Sequence, residues 1–303
     1  MTGFILIIIA ALFFPGIIVR AKSISSGRRG PGILQPVKEL VILLKKGSVF
    51  SRTTGLIFQI APAISLSAIL CAILVVPFAS QKAIISFEGD FIFFSYLMAF
   101  GKFFAIVAAL DTGSSFGGMG ANREAFFSML AEPAFFILLA TFAMFTGYTS
   151  FTDIFSHFYI TNNHYVLIFS IIGSYILVQI TMIENSRLPV DDPKTHLELT
   201  MIHEVMILDN SGFDKALIHA GSFLKFTIFG ALIFNVAVPA GWNLFLQIIL
   251  FALVQFSFAI IIGLIESFRA RNKMNLNPKF ILSISAIAWI AFMVILILTN
   301  KLA

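Results

Sequence analysis

The chain has 303 residues, 59% hydrophobic and 12% charged, with a formal charge of +5. That balance excludes a soluble domain, which needs a polar shell, and nucleic-acid binding, because the basic residues gather at the ends of apolar segments. The single cysteine, Cys71, lies in an apolar run and can neither close an intrachain disulfide nor hold an iron–sulfur cluster alone, so any redox centre belongs to another chain.

Eight apolar segments are long enough to cross a bilayer, which takes about 20 helical residues. The first, 2–19, has no basic n-region and no small-residue cleavage site, so it reads as a retained span. The loop after it carries Arg20, Lys22, Arg28, Arg29, Lys38, Lys45, Lys46 and Arg52. Within that loop, residues 33–46 put Leu34, Val37, Val41 and Leu44 on one helical face and Lys38 and Lys45 elsewhere. This spacing predicts an amphipathic helix on the membrane surface. Spans follow at 56–77, 91–110, 124–147 and 165–185. Ahead of the fourth, Gly113, Gly117, Gly118 and Gly120 follow no strand and lack the lysine of a phosphate loop, so they read as a flexible or closely packed turn. Residues 186–217 form the longest polar stretch. Pro189 and Pro193 interrupt its start, and Lys194 to Leu208 is expected to be helical. The last spans are 220–238, 243–267 and 280–299, with the Pro239–Trp242 turn between the first two. The fold class is all-α: eight transmembrane helices plus the amphipathic helix after the first.

Lysine and arginine favour alternate loops. Arg123 follows span three, Arg187, Lys194 and Lys215 follow span five, and Arg269, Arg271, Lys273 and Lys279 follow span seven, whereas the other loops hold only Lys82. This bias puts the charged loops in the cytoplasm and both termini outside.

Charges inside spans are costly and usually functional. Lys102, Glu132 and Lys225 are such charges. Glu132 lies nine residues past Arg123, about 13 Å along the helix, beside Pro133, which frees backbone groups that recruit water. Two readings stand level: a proton-carrying carboxylate, or a structural ion pair with Lys102 or Lys225. Glu184 closes span five. Arg187, Asp191, Asp192, Glu198, Glu204, Asp209 and Asp214 follow in one loop. On the expected helix, Glu198 and Asp209 share one face, and His196, Thr200, His203 and Glu204 another. Such density at a membrane mouth can relay protons or dock a charged partner; the bland alternative is a solvated acidic loop. His203–Glu204 begins a zinc-protease motif, but Ile207 stands where the second histidine is required, so no metal site is expected. No nucleophile triad stands out.

Four stretches carry a family resemblance. They are Gly27-Arg28-Arg29-Gly30-Pro31-Gly32-Ile33-Leu34-Gln35-Pro36; Leu110-Asp111-Thr112-Gly113-Ser114-Ser115-Phe116 with Gly120-Ala121-Asn122-Arg123-Glu124-Ala125; Ala131-Glu132-Pro133; and Glu184 through Asp191-Asp192-Pro193 to Leu199. In these the chain resembles the eight-span membrane-anchor subunit shared by respiratory complex I and the energy-converting, membrane-bound NiFe hydrogenases, including formate hydrogenlyase. The complex I version has an Asn-Arg-Val-Gly insert before the surface helix that is missing here. It also carries glutamates where Lys194 and His196 stand. The wording is closer to the hydrogenase branch.

The resemblance implies a non-catalytic subunit of an ion-translocating oxidoreductase complex in the plasma membrane of a prokaryote. It implies hydrogenase-like large and small (4Fe-4S) partner subunits that hold the NiFe and 4Fe-4S centres, with none in this chain, and antiporter-like membrane subunits alongside. Glu132 matches the family's buried glutamate. Glu184, Arg187, Asp191 and Glu198 match its charged loop, and Arg28, Arg29 and Gln35 the loop facing the redox arm. The expected proton path comprises Glu132, Glu184, Asp191, Glu198, Glu204, Asp209, Lys102 and Lys225; the expected docking residues are Arg28, Arg29, Gln35, Arg123 and Arg187. Two alternatives stay open: the quinone-site subunit of a complex I-type NADH:quinone oxidoreductase, and a stand-alone membrane transporter.

Overall fold

A chain this apolar has to satisfy its backbone within itself, and helix does so segment by segment. The computed structural model describes residues 2–79, 81–159, 165–192 and 201–302. Its helices are α1 (Thr2–Ser25), α2 (Gln35–Leu44), α3 (Leu56–Val75), α4 (Asp90–Asp111), α5 (Ser115–Thr146), α6 (Phe151–His157), α7 (Val166–Glu184), α8 (His203–Met206), α9 (Gly212–Ala237), α10 (Leu244–Phe268) and α11 (Asn277–Leu302). Among the described residues there is no strand, and eight helices are long and apolar enough to cross a membrane. The fold is all-α and multi-pass.

Local chemistry sets the ends. Ser114 caps α5 by accepting from the Gly117 N–H at 3.4 Å, and Gly147, at φ +78°, closes the helix in the left-handed region. The helix therefore starts at Ser115, with Gly117, Gly118 and Gly120 inside it. Gly120 lies so close to the chain before α8 that a Cβ there would stand 2.8 Å from the Ile202 carbonyl oxygen.

The helix expected over Lys194–Leu208 is, in its described part, the single turn α8. Asp191 sets its start, because Oδ2 accepts the N–H groups of Ile202 (3.0 Å) and His203 (3.1 Å). Asp209 falls in the turn beyond α8 and is exposed, so it shares no helical face. Glu198, His196, Thr200 and Lys194 lie outside the described residues.

The core is largely phenylalanine. Phe14 stacks on Phe226 with centroids 5.4 Å apart, and Phe135 meets Phe229 edge-on at 5.8 Å. Phe226 and Phe229 belong to α9, which packs against α1, α2, α3, α7 and α10 and buries every residue from 226 to 236. This central helix carries Lys225 into the bundle.

The connections gather at two ends. At one, Asp90 accepts from the Phe151 N–H (2.6 Å) and Asn235 holds the 77–79 turn. At the other, the Val49 N–H donates to Ser211 Oγ (2.9 Å), Arg123 reaches the Met201 carbonyl (3.0 Å) and Arg271 reaches Asp191 (2.8 Å). This second, charged end is made of the loops after α1, α4, α7 and α10.

Candidate functional site

Lys102 sits on a buried face of α4, where an ammonium needs counter-charge. It finds two carboxylates: Glu184 Oε1, from the last residue of α7, at 2.8 Å, and Glu124 Oε1, from α5, at 3.3 Å. The Ser186 hydroxyl donates to the other oxygen of Glu124 at 3.4 Å. Among the described residues, Glu132 has no cation within 4 Å, so of its two readings the ion pair with Lys102 or Lys225 is not formed.

Two cavities meet at this pair. The larger, about 70 Å³, lies among α3, α4, α5, α7, α8 and α9 and is lined by Lys102, Glu124, Glu184, His203, Asn210 and Lys225 together with apolar groups. The smaller, about 20 Å³, is lined by Ser95, Lys102, Glu132 and Glu184 and by Phe135, Phe136 and Phe229. A water needs about 10–15 Å³ of such space, so the first has room for several and the second for one. Lys102 and Glu184 belong to both walls. The ionisable groups thus run from His203 and Lys225, past Glu124, Lys102 and Glu184, to Glu132.

The charged end clamps the loop that follows α7. Asp191 is buried. Its Oδ1 accepts from Arg271 at 2.8 Å and from the Asp192 N–H at 2.9 Å, while Oδ2 holds the start of α8. Glu266, the acid that closes α10, is flanked by Arg187 at 3.2 Å and Lys22 at 3.4 Å. The Arg187 guanidinium also lies 5.1 Å over the Phe226 ring. Burial, aided by the charge of Lys225, pushes the His203 imidazole down to about 3, so it is neutral at physiological pH.

Of the expected docking residues, Arg28 and Arg29 are exposed, and Gln35 opens α2 and donates to Glu39 at 3.2 Å. Arg123 and Arg187 spend their guanidinium groups inside the protein. Glu204 lies half-buried in α8. No three His, Cys, Asp or Glu side chains come together as a metal site among the described residues.

Sequence reasoning did not single out Glu124, Glu266, Arg271 or Lys22 as site residues. Glu266 carries the same signal as Glu184, an acid closing an apolar span. The partners of Arg271 and Lys22 have no signal along the chain.

The family model described as NADH dehydrogenase matches residues 1–297. The chain belongs to the NADH dehydrogenase family. Within it, the chain is similar to formate hydrogenlyase subunit 4 of Escherichia coli, with 28% identity over 93% of this chain and 92% of the relative. It is similar to hydrogenase-4 component C of the same organism, with 26% identity over 95% and 90%. A subunit of the NADH-quinone oxidoreductase of Janthinobacterium matches over only 42% of the chain and 36% of its own length, at 29% identity. In fold, the family member matches a chain of the archaeal membrane-bound sulfane sulfur reductase, a respiratory membrane complex, with a TM-score of 0.80 over 96% of each chain at 16% identity.

Proposed function

We propose that this chain is the membrane-anchoring and coupling subunit of a hydrogenase-like, complex I-related complex. In this reading it docks a redox arm on its charged end and links electron transfer to proton or sodium translocation through buried carboxylates. The observation that carries the proposal is the pair of cavities joined at Lys102 and Glu184, which leads a row of ionisable groups from the charged end to Glu132. Near full-length similarity to two hydrogenase subunits supplies the setting.

The positive-inside rule puts the charged end in the cytoplasm and both termini outside, in a prokaryotic plasma membrane. There α2, with Val41, Ile42 and Leu44 exposed, lies on the membrane surface. Exposed Arg28 and Arg29 meet the hydrogenase-like large and small subunits, which carry the NiFe and 4Fe-4S centres. Arg123 and Arg187 instead hold the loop in shape. Antiporter-like subunits receive the coupling signal within the membrane.

The mechanism is electrostatic. Reduction in the docked arm favours protonation of acids near the charged end. Lys102, shared by Glu124 and Glu184, can follow whichever carboxylate stays ionised, and this changes the field at Glu132 across the smaller cavity. Glu132→Gln is expected to abolish redox-driven ion uptake into vesicles while the complex assembles normally. Uptake at the native rate would sink the role. The partial similarity to an NADH-quinone oxidoreductase component keeps one second reading, a quinone site, which block of turnover by a quinone-site inhibitor would favour.

A further inference from the structure

Ser128 stands on α5 four residues after Glu124 and four before Glu132. Helix geometry places it about 6 Å along the axis and about 40° around it from each. It is 5% exposed, and its hydroxyl has no hydrogen-bond partner. Other buried helix hydroxyls spend theirs on the carbonyl one turn back: Ser95 on Phe91 at 2.9 Å, Thr141 on Ile137 at 2.6 Å and Thr181 on Leu177 at 2.6 Å. Among the described residues, Ser128 carries the one buried hydroxyl left over.

Buried polar groups are nearly always satisfied, by protein or by water. Here the neighbours along the same helix face are carboxylates: Glu124 in the wall of the larger cavity, Glu132 in that of the smaller. Ser128 lines neither and lies on the stretch of α5 between them. The other connection between the cavities runs through Lys102 and Glu184, whose charges are paired at 2.8 Å. A proton moving that way has to loosen the 2.8 Å pair, whereas a hydroxyl route along α5 disturbs only the longer contact of Lys102 with Glu124 at 3.3 Å.

We infer that Ser128 is a positioning residue that passes a proton between Glu124 and Glu132, an inference that rests on reading Glu132 as a proton carrier. Its oxygen takes a proton from the protonated side through a bridging water, as its own proton leaves for the carboxylate on the other side. One O–H bond forms as one breaks, and the serine stays neutral. Rotation of the hydroxyl resets it.

Infrared spectroscopy tests this on membranes holding the intact complex. The carbonyl band of protonated Glu132 is identified by its loss in Glu132→Gln. Its shift is then timed after transfer to D2O. Ser128→Ala is expected to slow the exchange by about a hundredfold, the low side of what a positioned proton-transfer group contributes. Ser128→Thr, which restores a hydroxyl, is expected to return it to the native rate. Equal rates in native protein and Ser128→Ala overturn the inference and leave the role of Glu132 standing. Equally slow exchange in both variants assigns Ser128 to packing and also overturns it. If no band is lost in Glu132→Gln, the carrier role falls, and the inference with it.

Discussion

Lys102 is one ammonium serving two buried carboxylates, and that ratio gives the site its behaviour. Removing one partner of a buried pair commonly costs about 3–5 kcal/mol, so Glu124 and Glu184 cannot both lose it cheaply, whereas either one alone can yield it to the other. His203 behaves in the opposite way, being half-buried and neutral near Lys225. Its imidazole is held at about 3, against 6.5 for the free side chain. Above 6.5 neither the native nor the unfolded chain binds a proton there. Below it the unfolded chain takes one up and the native chain refuses it, so stability falls as pH drops from about 6.5 toward 3. His203→Leu removes that penalty. The melting midpoint of the purified complex, followed by dye binding, is expected to fall less between about pH 7 and about pH 5 in the variant than in the native protein. An unchanged pH dependence would show that the native state binds a proton at His203 as readily as the unfolded chain does.

At the scale of elements, the polar stretch after α7 is organised by one carboxylate. Asp191 accepts from Asp192, Ile202, His203 and Arg271, so it both starts α8 and ties the loop to the segment beyond α10. Asp191→Ala removes the buried carboxylate that pairs with Arg271 and accepts from two N–H groups at the start of α8, and is expected to cost about 3 kcal/mol or more. Limited proteolysis of the complex should then cut faster between α7 and α9, with the other loops unaffected. The same contacts explain what could be read beforehand. The long helices are legible because runs of about 20 apolar residues have no other stable form in a bilayer. The shortness of α8 is not, because its start depends on a carboxylate more than ten residues upstream. The partners of Lys102 were hidden for a related reason. A span drawn from residue 124 puts Glu124 at its rim, but the Ser114 cap starts the helix at Ser115 and carries Glu124 inside it. Glu132, Lys102 and Lys225 were legible as costly charges in apolar runs, but which acid meets which lysine depends on how α4, α5, α7 and α9 pack.

At the scale of the whole molecule, the two ends differ in kind. Arg28, Arg29, Lys45, Lys46 and Arg52 are exposed at one, around the loop that Asp191 and Glu266 hold closed. The other is tied by Asp90 to the Phe151 N–H and by Asn235 to the 77–79 turn, and exposes Lys82 and Glu88. A redox arm can sit only on the side where soluble partners are made, so the coupling role stands or falls with sidedness. Cysteine labelling decides it. Cys71, exposed on α3, is first replaced by serine. Ser26→Cys then reports on the charged end and Glu88→Cys on the opposite one, both at exposed positions. A membrane-impermeant maleimide is expected to reach Glu88→Cys in intact cells and Ser26→Cys only in inverted vesicles. The reverse pattern would turn the basic end outward, leave the row from His203 to Glu132 opening on the wrong compartment, and remove the chain from any role in carrying a cytoplasmic redox arm.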